Sequence, residues 1–277
     1  NEVMANRALE LLGKQRGEYT TIHPNDDVNK GQSTNNVVPS AVKIVCYKQL
    51  QTLIATLQQL QNSFLKKSEE VKSVLKTGRT HLQDAVPITL GQEFNAYATT
   101  IEKDIARIKQ TFPALLELNI GRNAIGTGIN TAPEFSPLII EYLNKITGIS
   151  WKTCKDPIYA TQNHSCFLEL SSALRMLAVD VNKVANDLRL LSSGPHTGLD
   201  EITLPAVEPG SSIMPGKVNP SIPEMMNMVC YQVIGNDTCI SEAVQSGQLE
   251  LNVMTPVVAK NLVESITILT NGITTFN

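Results

Sequence analysis

The stretch Gly210-Ser211-Ser212-Ile213-Met214-Pro215-Gly216-Lys217-Val218-Asn219-Pro220 decides the reading of this chain. It gathers two adjacent hydroxyls, a glycine-proline-glycine frame, a lysine and an asparagine. A serine works as a base only where its proton has somewhere to go and surrounding donors stabilise its anion. Gly210 and Gly216 let backbone approach a ligand closely, and the N–H groups of such a loop can stabilise an oxyanion. Lys217 offers a compact positive charge to a carboxylate, while Asn219 both donates and accepts. Taken alone, the string also reads as a flexible loop ahead of a helix near Ile222. It is not a nucleotide P-loop: five residues separate Gly210 from Gly216, and Val218 stands where Ser or Thr is required.

Two more polar segments lie upstream. Asn25 to Asn35 ends in Ser33, Thr34 and Asn35, small donors suited to a carboxylate, placed before a long apolar-periodic run. An ordinary helix N-cap in a solvated loop explains the same residues. Gly78 to Pro87 carries Thr80 and His81, which can bind or protonate an anionic group, although a histidine in a loop also serves structure alone. Glu224 falls just inside a helix N-terminus. It can orient His81 if the fold joins them, and is otherwise a favourable first-turn acid. The glycine-rich run from Gly121 to Thr131 lacks the G-x-G-x-x-G spacing and follows a helix, which excludes a dinucleotide fold. His23, His164 and His196 have no metal-ligand spacing, so no metal site is expected.

Between these segments run rods. Ser40 to Lys76 contains neither glycine nor proline and sets Leu53, Leu57, Leu60, Phe64 and Val71 on one face, predicting a helix on the order of 50 Å long. A second predicted helix spans Leu90 to Leu118, kinked at Pro113. In a third, Phe167, Leu170, Leu174, Leu177, Val181, Val184, Leu188 and Leu191 alternate spacings of three and four until Gly194-Pro195 stops it. Two more follow at Ile222–Gln245 and Pro256–Phe276, with Pro256 in a favoured first-turn position. Residues 23–39, 77–88, 119–136 and 192–221 read as loops. The expected fold is all-α, an elongated bundle of long helices forming one domain over residues 1–277, with its chemistry carried on loops.

Composition excludes several classes. A net charge of -3 gives no reason for a nucleic-acid or membrane partner, and no apolar run approaches the ~20 residues of a membrane span. No secretory signal is visible at the start. The five cysteines lack C-x-x-C spacing, arguing against a disulfide framework or zinc site and for reduced thiols in the cytoplasm. The triplets Asn163-His164-Ser165 and Asn236-Asp237-Thr238 read as coincidental glycosylation matches. The chain starts at Asn1 and ends at Asn277 inside helical patterns, predicting a piece of a longer protein.

Together, in this order, the three polar segments resemble the fumarase/aspartase superfamily across essentially the whole chain. The likeness is closer to the aspartate ammonia-lyase branch. It rests on Gly17-Glu18-Tyr19, on Ala160-Thr161-Gln162-Asn163 followed by Ser171-Ser172-Ala173-Leu174, and on the run from Gly247 to Pro256. Fumarases typically carry a bulky aromatic near Met254 and a different stretch around 160–166; His81 is shared by both branches. The resemblance implies Ser211 as catalytic base, Lys217, Asn219, Ser33 and Thr34 on substrate carboxylate, and Thr80 and His81 on the substrate from another segment. Asn35 falls beside these, and Glu224, as the acid that can orient His81, is taken with Ser211 and His81 as a catalytic candidate. The implied reaction is anti-elimination of ammonia from L-aspartate to give fumarate, with no metal or organic cofactor. The alternatives are a class II fumarase or a silent scaffold on the same fold. The resemblance further implies a homotetramer with active sites shared between subunits, and identifies the chain with the family's central helical domain, without the N- and C-terminal domains.

Overall fold

The computed structural model describes residues 1–210 and 213–277. Its helices are α1 (Glu2–Leu11), α2 (Thr34–Glu70), α3 (Leu90–Gln110), α4 (Phe112–Leu116), α5 (Phe135–Thr147), α6 (Pro157–Gln162), α7 (Ser165–Leu191), α8 (Ser221–Gln245) and α9 (Thr255–Phe276). Strands β1 (Leu75–Thr80) and β2 (Gln83–Thr89) pair antiparallel, while β3 (Glu117–Leu118) and β4 (Lys152–Thr153) form a short parallel pair. The class is all-α, as expected. Contacts divide the chain into two compact units, the first Asn1–Ile44, Ala114–His164 and Ser246–Thr255, the second Val45–Pro113, Ser165–Gln245 and Pro256–Asn277.

In the second unit the apolar stripe of α7 is buried along its whole length, from Phe167 to Leu191. Each fully covered leucine or valine there contributes roughly 1.5–3 kcal/mol. Helix α7 packs chiefly on α8 and also on α3. Polar pairs are satisfied within that packing: Ser171 Oγ donates to Asp237 Oδ1 at 2.7 Å, and Asn236 Nδ2 donates to Glu264 Oε2 and Ser265 Oγ at 3.0 Å each. Phe64, Phe94 and Tyr97 form a ring cluster, and the Tyr97 hydroxyl donates to Asp187 Oδ2 at 2.9 Å.

Three sequence expectations are corrected, and a helix that was not expected appears. The first long helix has 37 residues but begins at Thr34 and ends at Glu70, not at Ser40 and Lys76. Pro39 is accommodated inside it because the carbonyl it leaves without an N–H donor, that of Asn35, accepts from Asn119 Nδ2 at 3.5 Å. At the other end the start of α3 crosses so closely that a Cβ on Gly91 would lie 2.5 Å from the Ser68 carbonyl oxygen, and the chain turns away at residues 71–73.

The expected loop 77–88 is instead the β1–β2 hairpin, with a bulge between Thr77 and Arg79. Its β-branched and alternating residues suit paired strands better than coil. The expected helix Leu90–Leu118 stops at Gln110, and Pro113 falls in the first turn of the separate α4. Finally, residues 135–147 form α5, closed by Gly148 with a left-handed φ of 69°.

In the first unit Asn119 is a hub. Its Nδ2 donates to Thr161 Oγ1 at 3.1 Å, and its Oδ1 accepts from Ser40 Oγ at 3.3 Å. Lys43 Nζ donates to the carbonyls of Glu117 at 2.7 Å and Ala114 at 3.2 Å, closing the exposed end of α4.

Candidate active site

Ser33 is the cap of α2: its Oγ accepts from the Asn35 N–H at 3.2 Å and its carbonyl from Val37 N at 2.9 Å. Thr34 is exposed in the first turn, where the helix dipole favours an anion. The Asn35 amide donates to the Ala124 carbonyl at 2.9 Å and so ties the first turn to the glycine-rich segment.

Thr80 and His81 stand at the tip of the β1–β2 hairpin, in the second unit. His81 and Leu82 are its two central turn residues, with φ of 56° and 61°. Such a turn normally carries Asn-Gly, because left-handed φ strains a residue with a Cβ. Strain of this kind persists where the surroundings over-determine it, and it concentrates at functional sites. The hairpin is anchored by charge along β1: Lys76 Nζ lies 2.8 Å from both Glu93 and Glu201, and Arg79 Nη2 lies 2.6 Å from Glu201. Burial works to raise the Glu201 carboxyl, yet its bonds to Arg79 and Lys76 outweigh burial and hold it below the ordinary carboxylate value. Thr80 lines a cavity of about 420 Å³ together with Lys76 and Arg79.

Lys217 and Asn219 line a different cavity, of about 480 Å³, with Ser192, Ser193 and Thr203 hydroxyls and the Asp200 carboxylate. Arg189, from the last turn of α7, completes its wall. A space of this size with convergent cations and hydroxyls suits a small anion. Glu224, in the first turn of α8, makes its ion pair with Arg189 at 3.9 Å; among the described residues nothing bonds it to His81. Ser211 lies outside the described residues. Arg189 is a cavity-lining residue that sequence reasoning missed. It sits between stripe positions of α7, and its only signal was a cation in the turn before Gly194.

The comparisons with known proteins bear on this arrangement. A family model described as Lyase matches residues 1–235. An aspartate ammonia-lyase of Bacillus sp is 52% identical over 276 residues, covering 100% of this chain and 59% of that protein. The chain belongs to the fumarase/aspartase lyase family. Among solved structures of this family, the fumarate lyase:delta crystallin of Brucella melitensis superposes with a TM-score of 0.95 at 50% identity, covering 98% of this chain and 59% of that one. A class II fumarase of Schistosoma mansoni reaches a TM-score of 0.94 at 38% identity, over 98% of this chain and 60% of that one. The chain thus spans about three-fifths of the length of these lyases.

Proposed function

We propose that the protein containing this chain is an aspartate ammonia-lyase, and that the chain is its central helical domain. The observation that carries the reading is the 52% identity to a curated aspartate ammonia-lyase along the whole chain. The cavity joining Lys217 and Asn219 supports it independently of that identity.

In the proposed reaction Ser211 takes the C3 proton of L-aspartate. Charge then develops on the adjacent carboxylate, where Lys217 and Asn219 hold it, and ammonia leaves C2 to give fumarate. Donors aimed at charge that appears only in the transition state are what raise turnover. Ser33 and Thr34, with Asn35 beside them, receive carboxylate at the N-terminus of α2. Thr80 and His81 contact the substrate from the hairpin, with Glu224 of a second subunit placed to orient His81.

The site is proposed to be completed between subunits of a homotetramer. Thr80 and Lys217 line separate cavities of one chain, and the hairpin exposes Leu75, Leu82 and Val86 to roughly 70% each. A cytoplasmic setting is the reading of the cysteines: Cys46 and Cys230 are buried thiols, each pushed up to about 12 by burial. No helix among the described residues is long and apolar enough to cross a membrane.

The test is fumarate absorbance after adding L-aspartate, and separately L-malate, to the whole protein. Fumarate with ammonia from aspartate supports the proposal. Fumarate from malate alone replaces it with the fumarase reading, which the likeness to the Schistosoma enzyme keeps in view. Turnover of neither removes both.

A further inference from the structure

Arg189 is held in an unusual electrostatic position. Its Nη1 donates to Asn227 Oδ1 at 3.0 Å and, at 3.4 Å, to Asn186 Oδ1. Asn227 is buried and fixed in turn, its Nδ2 donating to Asn182 Oδ1 at 2.7 Å and to the Asn182 carbonyl at 3.3 Å. Neutral amides therefore set the plane of the guanidinium without cancelling its charge. The carboxylate nearest to it, Glu224, stays 3.9 Å from Nη2, beyond hydrogen-bond length. Its Nε is buried and has no acceptor among the described residues.

A guanidinium carries five N–H donors in a fixed fork and is a strong partner for carboxylates. This one is oriented in advance, short of acceptors and 40% exposed, in the wall of the cavity that also holds Lys217 and Asn219. Among the described residues Asp200 is the one carboxylate in that lining, against the two cations Lys217 and Arg189. Arg189 adds a second cation to the lining beside Lys217, while its own acid, Glu224, lies outside that lining.

We propose that Arg189 is a further carboxylate anchor of this cavity, binding the same end of a dicarboxylate that Lys217 and Asn219 receive. The assignment rests on the reading of the cavity as the lyase substrate site. It makes Arg189 a substrate-binding and specificity-determining residue. Glu224 stays 3.9 Å away and outside the cavity lining, so the fork remains open to an incoming carboxylate.

The experiment uses the whole protein and three forms: wild type, Arg189→Gln and Arg189→Lys. Steady-state kinetics with L-aspartate are measured alongside competitive inhibition by succinate, a non-reacting dicarboxylate. Arg189→Gln is expected to raise KM and the succinate inhibition constant by about tenfold or more, with kcat within about threefold, the pattern of lost substrate binding. Arg189→Lys keeps the charge without the fork and should fall between the two. A purely structural arginine would lower the melting temperature and kcat but leave succinate inhibition unmoved, and that result overturns the proposal.

Labelling of wild-type Arg189 by phenylglyoxal, read by mass spectrometry with and without succinate, decides the matter if the variants fail to fold or if the wild type does not turn over aspartate. Protection by succinate upholds the anchor; unchanged labelling refutes it. An inactive wild type whose Arg189 is protected sinks the aspartate reading alone. An active wild type with unshifted variants sinks only the inference.

Discussion

Arg79 of β1 reaches Glu201, in the segment after α7, across 2.6 Å. Lys76 reaches the same carboxylate at 2.8 Å, so one acid holds two cations of the hairpin that presents Thr80 and His81. Lys76 is only 9% exposed and Glu201 18%, which takes the group out of the class of weak surface pairs. Glu201→Gln should therefore destabilise the protein by about 2 kcal/mol and lower kcat/KM by loosening the hairpin. The sign with pH follows from the lowered folded-state value of Glu201. Its stabilisation is present above the ordinary glutamate value of 4.5 and is lost as pH falls through the lowered one. Melting temperatures of wild type and variant across pH 3–7 check this, and a gap that did not narrow at the acid end would contradict it.

Asp104 gives the opposite sign. Burial first, then the charge of Asp180, push its carboxyl up to about 7, against the pull of Arg107. Its side chain has no exposure, while Arg107 Nη1 reaches Asp180 Oδ2 at 3.1 Å. An acid raised on folding stabilises most below its unfolded value and loses that contribution as pH rises through the folded one. Between the ordinary 3.8 and about 7 the wild type should lose on the order of 4 kcal/mol from this site. Asp104→Asn removes the ionisation, so its stability relative to wild type should improve from pH 5 to pH 8. Denaturant unfolding at the two pH values measures it; parallel behaviour of the two proteins would refute it.

The rods were legible because their stripes are long and uninterrupted: the eight α7 positions read from the sequence are all buried. Helix ends were less so, because tertiary contacts set them. Nothing local announces that Asn119 would satisfy the carbonyl released by Pro39, or that α3 would cross at Gly91. The 77–88 hairpin was missed because a His-Leu pair at its turn lacks the usual Asn-Gly signal. Lys217 and Asn219 were readable as neighbours in one string, whereas Arg189 meets them only through the return of the chain after α7.

Gly91 tests that crossing directly. A methyl group there would meet the Ser68 carbonyl oxygen at 2.5 Å and Lys72 Cα at 2.6 Å, both backbone atoms that cannot rotate aside. Gly91→Ala should destabilise by about 2–3 kcal/mol despite the higher helix propensity of alanine, because overpacking against backbone outweighs a gain of about 1 kcal/mol. A neutral or stabilised variant in thermal melts would mean that α3 does not approach so closely.

Ser211→Ala and Lys217→Ala separate the proposed chemical roles. Loss of the base should lower kcat by at least about a thousandfold with substrate affinity retained, whereas loss of the lysine should act mainly on KM. Intact assembly of both variants is checked by light scattering. Residual turnover by Ser211→Ala near the wild-type rate would remove Ser211 as base, and an unchanged KM in Lys217→Ala would remove its carboxylate role.

Leu82 shares the left-handed turn with His81 but has no proposed contact with substrate. Its φ of 61° strains a branched side chain by roughly 1 kcal/mol, and 70% exposure means that little burial compensates. Asparagine tolerates this backbone region, so Leu82→Asn should stabilise the hairpin by about 0.5–1 kcal/mol. His81→Asn should relieve strain by the same route while removing the imidazole, so it should gain stability and lose turnover. Measured together, the two variants separate strain held for function from strain that is incidental. If His81→Asn lost stability while Leu82→Asn gained it, the imidazole would be a structural element of the turn, and its proposed contact with substrate would fall.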